Sequence, residues 1–133
     1  MTVARVRTTL FSLFVGLSAT LAVAAEHTKD TLDQVKKGLA DGKAVLIDCR
    51  EADEWKDGHL KDAKPLPLSE LPEAIKSGKV AKEYPKTKVI YAHCAAGGRC
   101  LKAAEELKKA GYDVRPLSQG YDELLKNGFP KAK

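Results

Sequence analysis

Hydrophobic positions along this chain fall into two rhythms. Thr28 to Ala40 places Leu32, Val35 and Leu39 at helical spacing between charged residues, and Asp41-Gly42 supplies a stop. Lys43 to Asp48 is instead a short, branched, apolar run, the pattern of a strand buried on both faces. From Glu51 to Leu68 the chain turns polar, with Gly58, Pro65 and Pro67, and reads mostly as connection, with one helical turn over Ala52 to Asp57 around Trp55. Ser69 to Lys79 predicts a second short helix, with Ser69 as its N-cap and Pro72 in its first turn; Tyr84-Pro85 breaks it off.

A second buried strand, Lys88 to His93, runs into Cys94-Ala95-Ala96-Gly97-Gly98-Arg99-Cys100. The helix predicted next carries Cys100, Ala103, Ala104, Leu107 and Ala110 on one side and ends at Gly111. Tyr112 to Leu117 predicts a third strand, and Tyr121 to Lys126 a last helix closed by Gly128 and Pro130. Strands alternating with helices at this spacing imply an α/β fold, a central and mostly parallel sheet with helices on both faces, because parallel neighbours need crossover connections. There is no internal repeat or low-complexity tract.

Composition adds one domain and a leader. The chain has 133 residues, 44% hydrophobic and 31% charged, enough for a single globular domain. At its front, Arg5 and Arg7 precede an uncharged run from Thr8 to Ala25, and Ala22-Val23-Ala24 is an Ala-x-Ala cleavage signal. Residues 1–24 are therefore expected to be a signal peptide and 25–133 the domain, with cleavage after Ala24 or, equally allowed, after Ala25. Thr8, Thr9, Ser12, Gly16, Ser18 and Thr20 dilute the run, which favours cleavage over an uncleaved anchor and implies no stable membrane association afterwards. The expected destination is a bacterial periplasm.

Removing Arg5 and Arg7 leaves 21 basic against 18 acidic residues, so the formal charge falls from +5 to +3. Lysines interleave with acids, as in Glu105, Glu106, Lys108 and Lys109, which is the look of a solvated helix face, so no nucleic-acid partner is expected. A modest positive surface suits small anions. Three cysteines form an odd count, so at least one thiol stays free within the monomer.

The chemistry concentrates at Cys94. In open parallel sheets ligands bind beyond the carboxyl ends of the strands, where this residue falls. The two glycines after it permit conformations that turn successive N–H groups inward, and the next helix adds its positive end. A free cysteine titrates near ~8.5, and a helix N-terminus with a neighbouring arginine brings that into the range of roughly 3.5 to 7.5, so Cys94 is expected to be a thiolate at neutral pH. Arg99 adds forked donors suited to an oxyanion.

These segments together resemble the single-domain rhodanese family of thiosulfate sulfurtransferases, from about Val45 to Pro130. Asp48-Cys49-Arg50 is similar to the Asp-x-Arg that ends an early strand of that family. Glu54-Trp55-Lys56-Asp57-Gly58-His59-Leu60 resembles its Glu-aromatic-x-x-Gly-His-aliphatic segment. Cys94 to Arg99 matches its Cys-x-x-Gly-x-Arg active loop, and Gly120-Tyr121 through Gly128-Phe129-Pro130 its closing stretch. Lys61-Asp62, Gln119 and Leu124 depart from the family, outside the loop. The resemblance implies transfer of a sulfane sulfur from thiosulfate or a similar small anionic donor to cyanide or a thiol through a Cys94 persulfide. The catalytic residue would be Cys94, the substrate-binding residues Arg99, Ala95, Ala96, Gly97 and Gly98, with no metal and no cofactor.

Two other readings stay open. Cys100 is either a small helix residue packed on the sheet or a resolving thiol that turns the protein into a thiol redox protein. A rhodanese-like module that binds without turnover is the other, although the loop cysteine is present. Phosphatases of similar architecture use Cys-x5-Arg, one residue longer than the spacing here, which disfavours phosphate. His59 and His93 receive no role, Cys49 ends a neighbouring strand with its direction open, and Asp48, Arg50 and Glu54 are read as a stabilising ion-pair network.

Overall fold

Along strand β1 (Ala44–Asp48), Val45 and Ile47 pack to one side and Ala44 and Leu46 to the other, so both faces of the strand are apolar. The computed structural model describes Gly16 and residues 24–133, and the expected signal peptide lies almost wholly outside the described residues. Strands β2 (Ala63–Pro65), β3 (Val89–His93) and β4 (Val114–Pro116) complete a four-stranded sheet in the order β2-β1-β3-β4. Every pairing is parallel, with Asp48 opposite His93 and Ala92 opposite Pro116. The mostly parallel sheet expected from the sequence is thus all-parallel.

Six helices among the described residues cover it. On one face α3 (Leu71–Lys76), α4 (Lys79–Glu83) and α5 (Arg99–Lys109) bury Leu71, Val80, Ala103, Ala104 and Leu107 against Ile47, Ile90 and Val114. On the other, α1 (Leu32–Ala40), α2 (Ala52–Asp57) and α6 (Tyr121–Lys126) bring Val35, Trp55 and Leu124 to Leu46, Tyr91 and Leu117. Each fully buried leucine or isoleucine here contributes about 1.5–3 kcal/mol. Among the described residues no helix is long and apolar enough to cross a membrane.

Three elements differ from the sequence reading. The first helix starts at Leu32 rather than Thr28, because Thr31 and Gln34 form a capping box and Thr28 N–H instead donates to the Pro116 carbonyl at 2.8 Å. That bond occupies an edge carbonyl of β4. The helix expected over Ser69 to Lys79 is two helices, since Gly78 adopts φ +82° between them, and Ser69 is no cap: its hydroxyl donates to Glu51 Oε2 at 2.6 Å. Strand β2, read as connection, is only three residues long and ends in Pro65, too short for alternation to show.

The frame matters for what lies at the carboxyl ends of β1 and β3. Alternation along β3 sends Ile90, Ala92 and Cys94 to the α5 face and Tyr91 to the other. Cys49, which follows β1, faces the same way as Cys94, and its N–H donates to the His93 carbonyl at 2.8 Å.

Candidate active site

Cys94 leaves β3 and enters a six-residue loop that closes on the start of α5. The residue is 1% exposed, whereas Ala95, Ala96 and Gly98 stand at the surface. Gly97 holds the loop's turn with φ +90°, a conformation that residues with a side chain rarely adopt. Its N–H then points inward and donates to Cys94 Sγ at 3.1 Å. Gly98, by contrast, has ordinary helical angles as the N-cap of α5, so only one of the two glycines is needed for its conformational freedom.

The Cys94 thiol is brought well below the ordinary range, to about 5. The Cys100 thiol contributes most; burial works against it, and the backbone N–H groups of Cys100, Ala96 and Gly97 add to it. Cys100 Sγ lies 3.2 Å from the Gly97 carbonyl oxygen and 3.4 Å from that of Leu117, so both sulfurs bracket one glycine. Donation toward Cys94 raises the Cys100 pKa, and burial raises that of Cys49. Three free, buried cysteines therefore share one core cluster, and one of them is acidic.

The sequence reading gives Arg99 a fixed charge near the sulfur and forked donors for an oxyanion. The structure instead gives its two Nη groups to the Glu54 carboxylate, with Nη2 2.9 Å from Oε2. Arg99 in turn holds Glu54 down to about 2. The expected network of Asp48, Arg50 and Glu54 is split accordingly. Asp48 and Arg50 form a buried bidentate pair, Nε to Oδ1 at 3.0 Å and Nη2 to Oδ2 at 2.8 Å, while Glu54 belongs to Arg99. Arg50 also donates to the Gly58 carbonyl and lies over the Tyr121 ring, joining α2 to α6.

Neither histidine considered from the sequence reaches the sulfur. His59 stacks on Trp55 with ring centroids 3.6 Å apart, and His93 turns toward Asp48, its Nε2 3.7 Å from Oδ2. Burial pushes the His93 pKa down and keeps the ring neutral. Two contacts carried no signal in the sequence. His27 Nε2 lies 2.7 Å from the Gly97 carbonyl oxygen, seventy positions away. Gly120 rests on the loop so closely that a Cβ there would overlap the Ala95 carbonyl oxygen and come within 2.7 Å of its carbon. Tyr121 N–H completes the floor by donating to the Cys94 carbonyl at 3.0 Å.

The arrangement is a thiolate cradle at the carboxyl end of a parallel sheet, fit for nucleophilic sulfur chemistry. A separate groove of about 390 Å³, lined by Lys36, Ala44, Leu46, Lys64 and Phe129, lies toward the other end of β1 and includes none of these groups.

Known proteins resemble the chain throughout this region. The model of the rhodanese-like domain matches residues 31–127. An uncharacterised Bacillus subtilis protein is 30% identical over 122 residues, covering 92% of this chain and 86% of that protein. A Schizosaccharomyces pombe protein, provisionally named a mitochondrial thiosulfate sulfurtransferase, is 33% identical over 84 residues, 58% of this chain. The chain spans 59% of that protein's length. A human single-domain sulfurtransferase superposes with a TM-score of 0.64 at 28% identity, over 71% of this chain and 92% of its own.

Proposed function

The chain belongs to the rhodanese-like domain family, and from that membership we propose a sulfurtransferase that carries sulfur on Cys94 as a persulfide. The observation that carries the reading is the depressed Cys94 pKa of about 5 on a loop whose N–H groups face the sulfur. The family and its sulfurtransferase members support a role of this class; the donor, the acceptor and the intermediate are our reading.

Thiosulfate, or a comparable small anion, is the proposed donor. The Cys94 thiolate attacks its outer sulfur, the S–S bond breaks, and sulfite departs with the bonding electron pair. The loop N–H groups that held the thiolate then hold the terminal sulfur of the persulfide. Cyanide or a thiolate attacks that sulfur and returns Cys94 to the thiolate, so no oxidant or reductant is consumed. Arg99, kept in place by Glu54, lies at the loop edge where the anion would arrive. Residues 1–24 are proposed as an export signal and the periplasm as the site of action.

Replacing Cys94 with Ser tests this. The wild-type protein should form thiocyanate from thiosulfate and cyanide and gain about 32 Da on Cys94 after thiosulfate alone, the mass of one sulfur atom. Cys94→Ser should do neither; thiocyanate formation unaffected by the substitution would overturn the assignment.

The approach of Cys100 to the same glycine favours one second reading, a thiol redox protein in which Cys100 attacks an oxidised Cys94. Its raised pKa makes Cys100 the poorer nucleophile of the two. A Cys94–Cys100 disulfide after peroxide, without sulfur uptake from thiosulfate, would select it.

A further inference from the structure

We propose that His27 is a positioning residue for the sulfur chemistry of Cys94, acting through the Gly97 peptide planes. The inference rests on Cys94 as the reacting group and extends the site to a segment of chain that the loop motif does not include. The segment from Ala25 to Asp30 crosses the edge of the sheet beside β4. Thr28 N–H donates to the Pro116 carbonyl at 2.8 Å, and Asp30 Oδ2 accepts from Tyr91 Oη at 2.7 Å and Arg115 Nη1 at 2.8 Å. The Ala25 N–H reaches Glu105 on α5 at 3.4 Å. His27 sits between these anchors, held on both sides.

Its ring meets the loop at one atom. A carbonyl oxygen can only accept, so His27 Nε2 carries a proton and donates it to Gly97 O across 2.7 Å. Gly97 contacts both sulfurs. Its N–H donates to Cys94 Sγ and its carbonyl lies 3.2 Å from Cys100 Sγ. A Cβ on Gly97 would fall 3.0 Å from the Ser118 carbonyl oxygen and 3.2 Å from His27 Nε2, so the residue is clasped between them.

The N–H and the carbonyl of Gly97 belong to successive peptide planes joined at one Cα with φ +90°. Holding the carbonyl toward His27 restricts ψ of Gly97 and so helps to keep its N–H directed at the sulfur. Without His27 the glycine has other conformations to visit, and those that rotate the 96–97 peptide turn that N–H away from Cys94. Cys49 and Cys100 from the α5 face, the buried His93 next to Cys94 in the chain, and Arg99 with its partner Glu54 at the loop edge are the ionisable groups around Cys94; His27 reaches it only through Gly97.

The test uses the protein produced from residues 1–133, and both proposed cleavage points leave His27 in place. Thiolate absorbance is titrated against pH in wild type, His27→Ala and His27→Gln, with Cys94→Ser subtracted to assign the signal. Loss of the donor in His27→Ala should move the midpoint up from about 5 by roughly one pH unit. In His27→Gln the side-chain amide donates to the same oxygen, and the midpoint should stay near that of wild type. Sulfur transfer measured near pH 5 should fall several-fold in His27→Ala and recover in His27→Gln.

An unmoved midpoint in His27→Ala, or an equal shift in both variants, overturns the proposal. Loss of a cooperative melting transition in both variants also overturns it, since His27 would then be needed to fold rather than to set the loop. The titration requires no sulfur donor. A wild type that titrates near 5 yet transfers no sulfur would therefore count against the proposed function alone, leaving the role of His27 to be judged on the midpoints.

Discussion

Gly120 and Ala95 touch through their backbones: the Cα of one lies where any side chain would enter the carbonyl group of the other. The φ of Gly120 is −80°, which every residue tolerates, so the requirement for glycine here is one of space alone. Gly120→Ala should push the Cys94 loop outward, costing about 1–3 kcal/mol of stability and about 100-fold in sulfur transfer. Urea unfolding and the thiocyanate assay measure the two effects. Full activity in this variant would show that the loop adjusts without losing its function.

The pH dependence follows from the direction of the Cys94 shift. The reacting form is the thiolate, so the rate of sulfur uptake from thiosulfate should be level from about pH 6 upward and halve near pH 5, where the thiol is half protonated. Stability has the same sign. The native state binds fewer protons than the unfolded state between about 5 and the ordinary thiol value near 8.5, so this contribution is complete above that window and lost as pH falls through it. A kinetic midpoint near 8 to 9 would mean that the cradle does not acidify the sulfur.

Glu54→Gln separates two roles of the Arg99 pair. Both side chains are about a third exposed, at 34% and 36%, so solvent screens their attraction. If Arg99 receives the donor anion, neutralising its partner should lower KM for thiosulfate about three-fold and leave kcat little changed. A rise in KM would mean that Glu54 serves chiefly to aim the guanidinium.

Asp48→Ala leaves the Arg50 guanidinium, 6% exposed, without its carboxylate. An uncompensated buried charge costs about 3–5 kcal/mol, which chemical denaturation should register. Adding Arg50→Met should recover much of the loss, because apolar replacement of both partners of a buried pair is often neutral. A single variant as stable as wild type would contradict the burial of the pair.

Much of this was legible in the sequence because it is local. The run from Val89 to His93 followed by Cys94, Gly97 and an amphipathic helix places a sulfur at a sheet's carboxyl end with few alternatives. The all-parallel sheet likewise follows from alternating elements. What escaped was long-range. Glu54 pairs with Arg99 across forty-five positions, and His27 reaches Gly97 across seventy, and neither residue type announces its partner. The sequence alone gives Cys49 no direction, because it lies past the end of β1 and is set by its N–H bond to the His93 carbonyl of β3. Strand β2 is too short to carry a rhythm of its own.

The three-cysteine cluster has a consequence for how the protein meets electrophiles. In the unfolded chain Cys49, Cys94 and Cys100 are equivalent thiols, whereas the native fold ionises one and mutes two. Folding thus confers chemoselectivity: at mildly acidic pH a small alkylating probe meets one thiolate in the native molecule and almost none in the denatured one, whose thiols all titrate near ~8.5. The number of labels taken up is in itself a gauge of how much of a preparation has reached the native state.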